Sequence, residues 1–191
     1  MDTVILRKPI VLLFILLCVI SAPLVSYNLV LSLTSLSPPQ RAVLDYVQSG
    51  DPFDTGSFAP SELTHLDDVY NVMLFFDVVL IVSLAGLAAL SYALHKTPEF
   101  KHIIQWSGIA VIGCIALLLL FAFLSFNWLF NAFHQLLFEP GTWLFPADSQ
   151  LIQLFPLKFF ITLTKRILIG TLVIGALLIT ASKVVPSNHK Q

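Results

Sequence analysis

The stretch VYNVMLFFDVVLIVSLAGLAALSYAL, residues 69–94, decides the fold. It contains a single charged residue, Asp77. It is also longer than the roughly 20 residues that a helix needs to cross about 30 Å of hydrocarbon. Three more apolar runs of sufficient length lie at about residues 10–33, 103–129 and 159–181. The sequence therefore predicts an all-α integral membrane protein with four transmembrane helices, forming a single membrane domain over residues 1–191.

The composition agrees with a chain that lies in lipid. Of the 191 residues, 57% are hydrophobic and 11% are charged, whereas soluble domains carry about 25% charged residues. The net charge of −1 comes with no basic stripe, so nucleic acid is not an expected partner. Cys18 and Cys114 both lie inside apolar runs, where cysteine behaves as a small hydrophobic residue.

The first apolar run is longer than the 7–15 residues of a signal-peptide core, and it is predicted to be an uncleaved helix. Lys and Arg then indicate the orientation, because cytoplasmic loops are enriched in both. With the N-terminus inside, six basic residues fall on the cytoplasmic side and four fall outside. The inner set is Arg7, Lys8, Lys96, Lys101, Lys183 and Lys190, and the outer set is Arg41, Lys158, Lys165 and Arg166. Both termini are predicted to be cytoplasmic.

Two elaborated extracytoplasmic loops, at about residues 34–68 and 130–158, are predicted to form a cap. The first contains an amphipathic stretch, RAVLDYV, followed by the turn-rich segment GDPFDTGSFAP. The second is rich in aromatic residues, which are also expected of an ordinary interfacial belt.

The nine residues SELTHLDDV, residues 61–69, stand at the outer end of the second apolar run. Thr64 with Asp67 resembles a capping box, with Asp in place of the usual Glu or Gln. A cap leaves three polar residues unexplained, and these recur at intervals of three, close to one helical face: Glu62, His65 and Asp68.

A second polar group ends the third run. Asn127, Asn131 and His134 fall on one helical face, with Gln135 beside it. His65 and His134 are therefore expected at the same membrane height on neighbouring antiparallel helices. Polar side chains at membrane depth usually face a bundle interior or a wet cavity, but ordinary interfacial polar residues fit this pattern equally well. The role of Asp77 stays open between a functional acid and a structural partner.

The missing motifs restrict the chemistry. The chain has no GxSxG elbow, HExxH pair or glycine-rich phosphate loop, and no cysteine near an outer histidine. The remaining reagents are histidine, carboxylate and amide, which suit proton transfer. Two alternatives of other classes remain: a haem- or metal-binding membrane protein with His65 and His134 as ligands, and a non-catalytic membrane assembly protein.

Two blocks of residues resemble a known family. Glu62-x-x-His65-Leu66-x-Asp68-Val69 is similar to the E-x-x-H-L-x-D-V signature of the bacterial lipoprotein intramolecular transacylases. Phe133-His134-x-x-x-Phe138, followed by Trp143 and the run LIQLFP at residues 151–156, is similar to the second block of that family. The family usually has an acid just before the LI pair, and here Asp148 is displaced, which leaves its role open.

The resemblance implies an acyltransferase of the bacterial cytoplasmic membrane, with its active site at the extracytoplasmic face. The substrate would be a diacylated lipoprotein embedded in membrane lipid. Its sn-2 acyl chain would move to the α-amine of its own N-terminal cysteine, giving a lyso-form lipoprotein. No cofactor or metal is expected. The expected site comprises the catalytic residues His65 and His134, the supporting residues Glu62, Asp68, Asn131 and Gln135, and the substrate-binding residues Phe138, Trp143 and Phe155.

The neighbours of the two histidines suggest separate roles. His65 lies three residues from Glu62 and from Asp68, so a carboxylate is expected to orient its ring and make it the proton shuttle. His134 lies among amides and is expected to be the electrophilic donor to the ester oxygen.

Overall fold

The computed structural model describes residues 2–185, with side chains from residue 8 onward. His189 and Lys190, as well as the side chain of Arg7, lie outside this description. The described chain is helical and contains no strand. Its helices are α1 (Asp2–Ser32), α2 (Pro38–Ser49), α3 (Pro60–Leu94), α4 (Phe100–Leu124), α5 (Phe126–Leu137), α6 (Gln150–Leu154) and α7 (Leu157–Val184).

Four of these helices are long and apolar enough to cross a membrane, which confirms the predicted all-α membrane class. The spans are Lys8–Ser32, Pro60–Leu94, Phe100–Leu124 and Leu157–Val184. Only 6% of the most apolar part of α3 is buried within the protein. Side chains such as Leu12, Ile81 and Phe123 are 66%, 67% and 86% exposed. Apolar surface on this scale is not stable in water, so it faces lipid.

The contacts divide the chain into two compact units. The first consists of the described parts of Met1–Ser32, Val79–Leu120 and Arg166–Gln191. Its core is formed by five buried residues of α1 and α4, against which α3 and α7 pack: Phe14, Cys18, Ala22, Ile103 and Val111. In the same unit the hydroxyl of Ser26 donates to the carbonyl of Ile167 at 2.8 Å, which links α1 to α7 by a polar contact. Such contacts join helices where lipid provides no hydrophobic driving force between them.

Helices α4 and α7 approach closely at Gly108 and Gly175. A Cβ atom at Gly108 would lie 2.6 Å from the carbonyl oxygen of Gly175 and 2.7 Å from Cγ1 of Ile179. The absence of side chains at these positions therefore lets the two backbones pack directly. Gly113, on the same helix, has nothing within 4 Å of the equivalent position.

The second unit consists of Leu33–Val78 and Phe121–Lys165. Helix α2 begins with a capping box formed by Ser37 and Gln40 and ends at Gly50, whose φ of 75° is left-handed. The predicted amphipathic stretch lies in α2 and buries Val43, Leu44 and Val47. The side-chain amide of Gln40 donates to the carbonyl of Leu154 at 2.7 Å, which joins α2 to α6.

Several predicted boundaries differ from the observed ones. The second long helix begins at Pro60 rather than near Val69, so SELTHLDDV is helical. Thr64 is then inside the helix, with its hydroxyl donating to the carbonyl of Pro60, and the Asp67 carboxylate accepts from the hydroxyl of Tyr46. The predicted Thr64–Asp67 capping box is therefore wrong. The reason is that Pro is favoured in the first turn of a helix, where its missing N–H has no partner to lose.

The third predicted helix, residues 103–129, is interrupted. Helix α4 ends at Leu124, and Ser125 adopts an extended conformation and caps α5 by accepting from the N–H of Trp128. A side-chain oxygen that replaces the missing intrahelical acceptor starts a new helix at this point. His134 consequently lies in α5, a separate helix of 12 residues.

The close contact at Gly108 predicts a large effect of a small substitution. Gly108→Ala places a methyl group against backbone atoms of α7 that cannot move away cheaply. We expect a loss of about 1–3 kcal/mol in the free energy of unfolding, measured by denaturant titration in detergent micelles. Gly113→Ala is the matched control and should be neutral or slightly stabilising, because Ala favours helix over Gly. Equal stability of the two variants would contradict the close approach of α4 and α7.

Candidate active site

The two histidines singled out by the sequence lie side by side in the second unit. The ring centroids of His65, on the second turn of α3, and His134, on α5, are 6.4 Å apart, and their planes are inclined by 26°. The side chain of His65 is 7% exposed, and His134 is half-buried. Two positive charges at this separation repel strongly away from water, so simultaneous protonation of both rings is disfavoured.

Glu62 holds the backbone on either side of His65. Its carboxylate accepts two hydrogen bonds from backbone N–H groups, each at 2.7 Å: one oxygen from Ala59 and the other from Leu151. The first bond is one half of a capping box: the side chain of Glu62, the third residue of α3, accepts from the backbone N–H of Ala59, the residue just before the helix. The second crosses 89 residues of chain and attaches α6 to the first turn of α3.

The side chain of Glu62 is 2% exposed, so its charge is stabilised by these two N–H donors rather than by water. Glu62 thus positions the start of α3 and does not bond the ring of His65. Of the two carboxylates expected to orient the imidazole, Glu62 and Asp68, Glu62 is therefore engaged by backbone N–H groups instead. Asp68 lies one turn beyond His65 and is half-buried.

A backbone carbonyl orients the ring of His134. The Nδ1 atom of His134 lies 2.7 Å from the carbonyl oxygen of Phe130, so Nδ1 carries the hydrogen and donates. In the neutral ring the lone pair is then on Nε2. Burial lowers the pKa of His134 from its usual 6.5, and the hydrogen bond to Phe130 opposes this shift only in part. His134 is therefore a neutral imidazole near pH 7, with Nε2 free to accept a proton.

Aromatic rings enclose the histidine pair. Phe138 contacts both imidazoles, with centroid distances of 4.9 Å to His65 and 5.5 Å to His134. Phe145 lies 5.5 Å from His65. Phe130 and Trp143 lie 4.0 and 5.0 Å from His134. These apolar walls exclude water and strengthen polar interactions inside the site.

Two buried polar atoms of the site make no hydrogen bond to any described residue: Nδ1 of His65 and Nε1 of Trp143. Nearly all buried polar atoms in proteins have a partner, so each exception calls for a reason. Here the two rings that carry the exceptions both lie beside His134, with centroid distances of 6.4 Å for His65 and 5.0 Å for Trp143.

The other residues that the sequence analysis singled out have different surroundings. Asn131 and Gln135 are on the exposed side of α5, and Asp148 is exposed. Phe155 packs on Phe159, with ring centroids 5.2 Å apart. Asp77 is half-buried and lies three turns beyond His65 on α3.

The sequence analysis missed Phe130 and Phe145 as site residues. Phe130 could have been found, because it is four residues before His134 and therefore on the same helical face. Phe145 could not, because it reaches His65 from an irregular segment with no period. Residues 2–185 hold no group of three or more His, Cys, Asp or Glu side chains able to bind a metal ion.

Fold and site together define a multi-pass α-helical membrane protein with a histidine pair, one ring buried and the other half-buried, among aromatic rings. Comparison with known proteins makes the class specific. The family model described as "Lipoprotein intramolecular transacylase Lit" matches residues 10–160. The chain belongs to this family, as the two sequence blocks indicated, and the family is one of acyltransferases.

Solved structures agree on the fold. The lipoprotein intramolecular transacylase Lit of Bacillus cereus superposes with a TM-score of 0.76 over 94% of this chain and 95% of its own, at 18% sequence identity. A variant of the same protein gives a TM-score of 0.73. An uncharacterized protein of Aquifex aeolicus is 27% identical over 124 residues, or 64% of this chain. The chain spans 55% of the length of that relative.

The two hydrogen bonds of Glu62 predict a local loss of structure when they are removed. Glu62→Ala leaves the buried N–H of Leu151 unpaired, at a cost of about 1–3 kcal/mol, and also removes the partly buried bond from the N–H of Ala59. We expect the amide of Leu151 to exchange its hydrogen much faster, measured by hydrogen–deuterium exchange. Glu139→Ala, which removes an exposed carboxylate of the same unit, is the control and should stay within about 0.5 kcal/mol of the wild type. Unchanged protection of Leu151 in Glu62→Ala would refute the anchoring role.

Proposed function

We propose that the chain moves the sn-2 acyl chain of a diacylated bacterial lipoprotein from the glyceryl group to the α-amine of the same lipoprotein's N-terminal cysteine. Membership of the transacylase family supports this proposal. The observation that carries it is the imidazole pair, in which the lone pair of one ring is directed by a backbone carbonyl. A histidine base suits a reaction whose nucleophile and ester belong to one substrate molecule, and the sequence contains no GxSxG elbow and no cysteine near an outer histidine.

The proposed reaction is balanced within the substrate and one imidazole. The amine nitrogen attacks the ester carbonyl carbon, forming the C–N bond, while Nε2 of His134 accepts the proton that the nitrogen loses. The resulting tetrahedral oxyanion collapses, the C–O bond to glycerol breaks, and Nε2 returns its proton to the glyceryl oxygen. Orientation of two groups of one molecule accounts for a large part of such a rate, about 7–11 kcal/mol in well-oriented intramolecular reactions.

This assignment reverses the roles expected from the sequence. His65 was expected to be the shuttle because a carboxylate would orient it, but Glu62 is occupied by backbone N–H groups. His134 is the ring that a backbone carbonyl orients, and burial keeps its Nε2 unprotonated near pH 7 by lowering its pKa. We therefore assign the proton transfers to His134. His65, buried beside it, is assigned to hydrogen-bond the ester oxygen as negative charge develops.

We further propose the setting of the reaction. The excess of Lys and Arg on one side supports cytoplasmic termini, and α2, α5 and α6 then belong to extracytoplasmic segments that cap a single membrane domain. The lipid-anchored substrate would enter from the outer leaflet of the bacterial cytoplasmic membrane. Keeping its acyl chains in apolar surroundings avoids a cost of about 0.8 kcal/mol for each exposed CH₂ group. The enclosing rings of Phe138 and Trp143 offer such surroundings.

The role assignment predicts different responses of the two histidines to amide substitution. His134→Ala, His134→Asn and His134→Gln should all lose about 10²–10⁴-fold in kcat, because an amide cannot accept the proton. His65→Gln should retain more activity than His65→Ala, because its NH₂ group remains a donor. The measurement is mass spectrometry of N-acyl lyso-lipopeptide formed from a diacylated lipopeptide by purified protein.

His95→Ala is the control for these variants, because His95 is exposed at the end of α3. Its activity should equal that of the wild type. Retained activity in His134→Gln would show that His134 is a hydrogen-bond donor and not the base. Full turnover by His65→Ala would remove His65 from the reaction.

The lowered pKa of His134 predicts the pH dependence. Both the neutral amine and the neutral form of His134 are required, so kcat should fall about tenfold per pH unit below the pKa of the α-amine, about 7.7–8.0. Below the pKa of His134, which burial lowers from 6.5, the fall should steepen to about a hundredfold per pH unit, because His134 must then also lose a proton. If the enzyme provided no base, the slope would stay at about tenfold per pH unit throughout. A pH series of kcat at saturating lipopeptide distinguishes the two cases.

A further inference from the structure

Trp143 is held at the active site by a tight turn. Helix α5 ends at Leu137, and the turn that follows is closed by the N–H of Thr142 donating to the carbonyl of Glu139 at 3.2 Å. The hydroxyl of Thr142 donates to the same carbonyl at 2.9 Å. Gly141 has a φ of 89°, a backbone conformation that favours glycine. The backbone that carries Trp143 is therefore defined by the sequence EPGT before it.

The indole of Trp143 differs from the other two indoles of the chain. Trp106 and Trp128 are 60% and 57% exposed, whereas Trp143 is 9% exposed. Its Nε1–H is buried and has no acceptor among residues 2–185. A buried tryptophan usually pairs its N–H, and an unpaired donor in apolar surroundings is destabilising. Because the Nε1–H of Trp143 has no acceptor within the described protein, it is available to donate a hydrogen bond to a ligand.

The chemistry of the donor restricts the ligand. An indole N–H can donate a hydrogen bond but cannot accept one. Pairing with the amine nitrogen would block the reaction, because the only lone pair of that nitrogen attacks the ester carbon. The other acceptors among the reacting groups of a diacylglyceryl lipopeptide are the oxygens of the ester.

The position of the indole favours the ester carbonyl oxygen. In the proposed reaction, the amine nitrogen and the glyceryl oxygen both exchange a proton with His134, and both are bonded to the ester carbonyl carbon. The oxyanion is the third heteroatom on that carbon, so it must also lie beside His134. The centroid of the Trp143 ring lies 5.0 Å from that of His134, with the planes inclined by 44°.

We propose that the indole N–H of Trp143 donates a hydrogen bond to the ester carbonyl oxygen of the substrate and to the oxyanion that forms from it. This makes Trp143 a catalytic residue and the second donor to that oxygen, beside His65. The inference rests on the proposed acyl transfer. The donor is already fixed in a water-poor enclosure, so it needs no reorganisation when the charge appears.

Removing the N–H while keeping the ring tests the proposal. Trp143→Phe should lower kcat by about 10²–10³-fold, the usual effect of losing one oxyanion donor, with a smaller change in KM. Trp128→Phe on α5 is the matched control and should keep full activity. If Trp143→Phe unfolds, β-(3-benzothienyl)alanine at position 143 removes the N–H without changing the shape of the ring. Full activity of either folded variant at position 143 would overturn the proposal.

A spectroscopic measurement separates a catalytic contact from a packing role. The chain has three tryptophans, so ¹⁵N-indole labelling gives three resolvable signals, assigned by the two Phe variants and by Trp106→Phe. An N-acetylated diacylated lipopeptide cannot react, because its amine is blocked, but it keeps the ester. Its addition should shift the Trp143 signal downfield and leave the other two unchanged. The ether-linked analogue, which lacks the carbonyl, should cause no such shift.

The outcomes distinguish this inference from the function on which it rests. If the wild type forms no N-acyl lyso-lipopeptide from the unblocked substrate, the proposed function fails. If the wild type turns over but the Trp143 signal does not move, or moves equally with the ether analogue, the acyl transfer stands and the hydrogen bond from Trp143 does not.

Discussion

The site depends on the two hydrogen bonds that the carboxylate of Glu62 accepts from backbone N–H groups. This carboxylate is almost fully buried, and it is stabilised by two backbone N–H groups that are far apart in sequence. One of them belongs to the residue before α3, and the other belongs to α6. Through these two bonds, the start of α3, which carries His65, and helix α6 are held together. A charge that is buried in this way is costly to separate from its donors, which makes the arrangement rigid.

Rigidity matters here because the reagents are weak. An imidazole is a modest base, and the sequence contains no GxSxG elbow and no cysteine near an outer histidine that would add a covalent step. What the site offers is orientation: a ring directed by the carbonyl of Phe130, a second ring stacked beside it, and aromatic walls that exclude water. Low polarity also keeps His134 unprotonated by lowering its pKa. The same burial that is unfavourable for polar atoms therefore prepares them for proton transfer.

The membrane-spanning part obeys a different constraint. Lipid is as apolar as the helices themselves, so large side chains such as Ile81 and Phe123 are exposed to it without cost. Helices then associate by close backbone contact, as at Gly108 and Gly175, or by a polar contact such as that of Ser26 with Ile167. In the second unit, hydrogen bonds join segments that are distant in sequence, as between Gln40 and Leu154 and between Leu151 and Glu62.

The sequence alone determined the membrane class, the four long helices and the family. A run of about 20 apolar residues has one stable conformation in hydrocarbon, because only a helix satisfies every backbone group locally. The sequence also indicated that His65 and His134 would lie at the same height in the membrane, since both stand at the same end of neighbouring apolar runs. Helical spacing placed Glu62 on the face of His65, and that spacing was correct even though the partner inferred for Glu62 was not.

Only the tertiary structure decided which groups bond to one another. The period of a helix defines a face, but it carries no information on which distant segment lies against that face. The bond from Leu151 to Glu62 therefore could not be read from the sequence, and neither could the contact of Phe145 with His65 or the unpaired N–H of Trp143. The break at Ser125 similarly depends on a local choice of acceptor, and it sets the position of α5 and hence of His134. Roles in the reaction follow from these partners, which is why the sequence indicated the two histidines but the structure was needed to tell them apart.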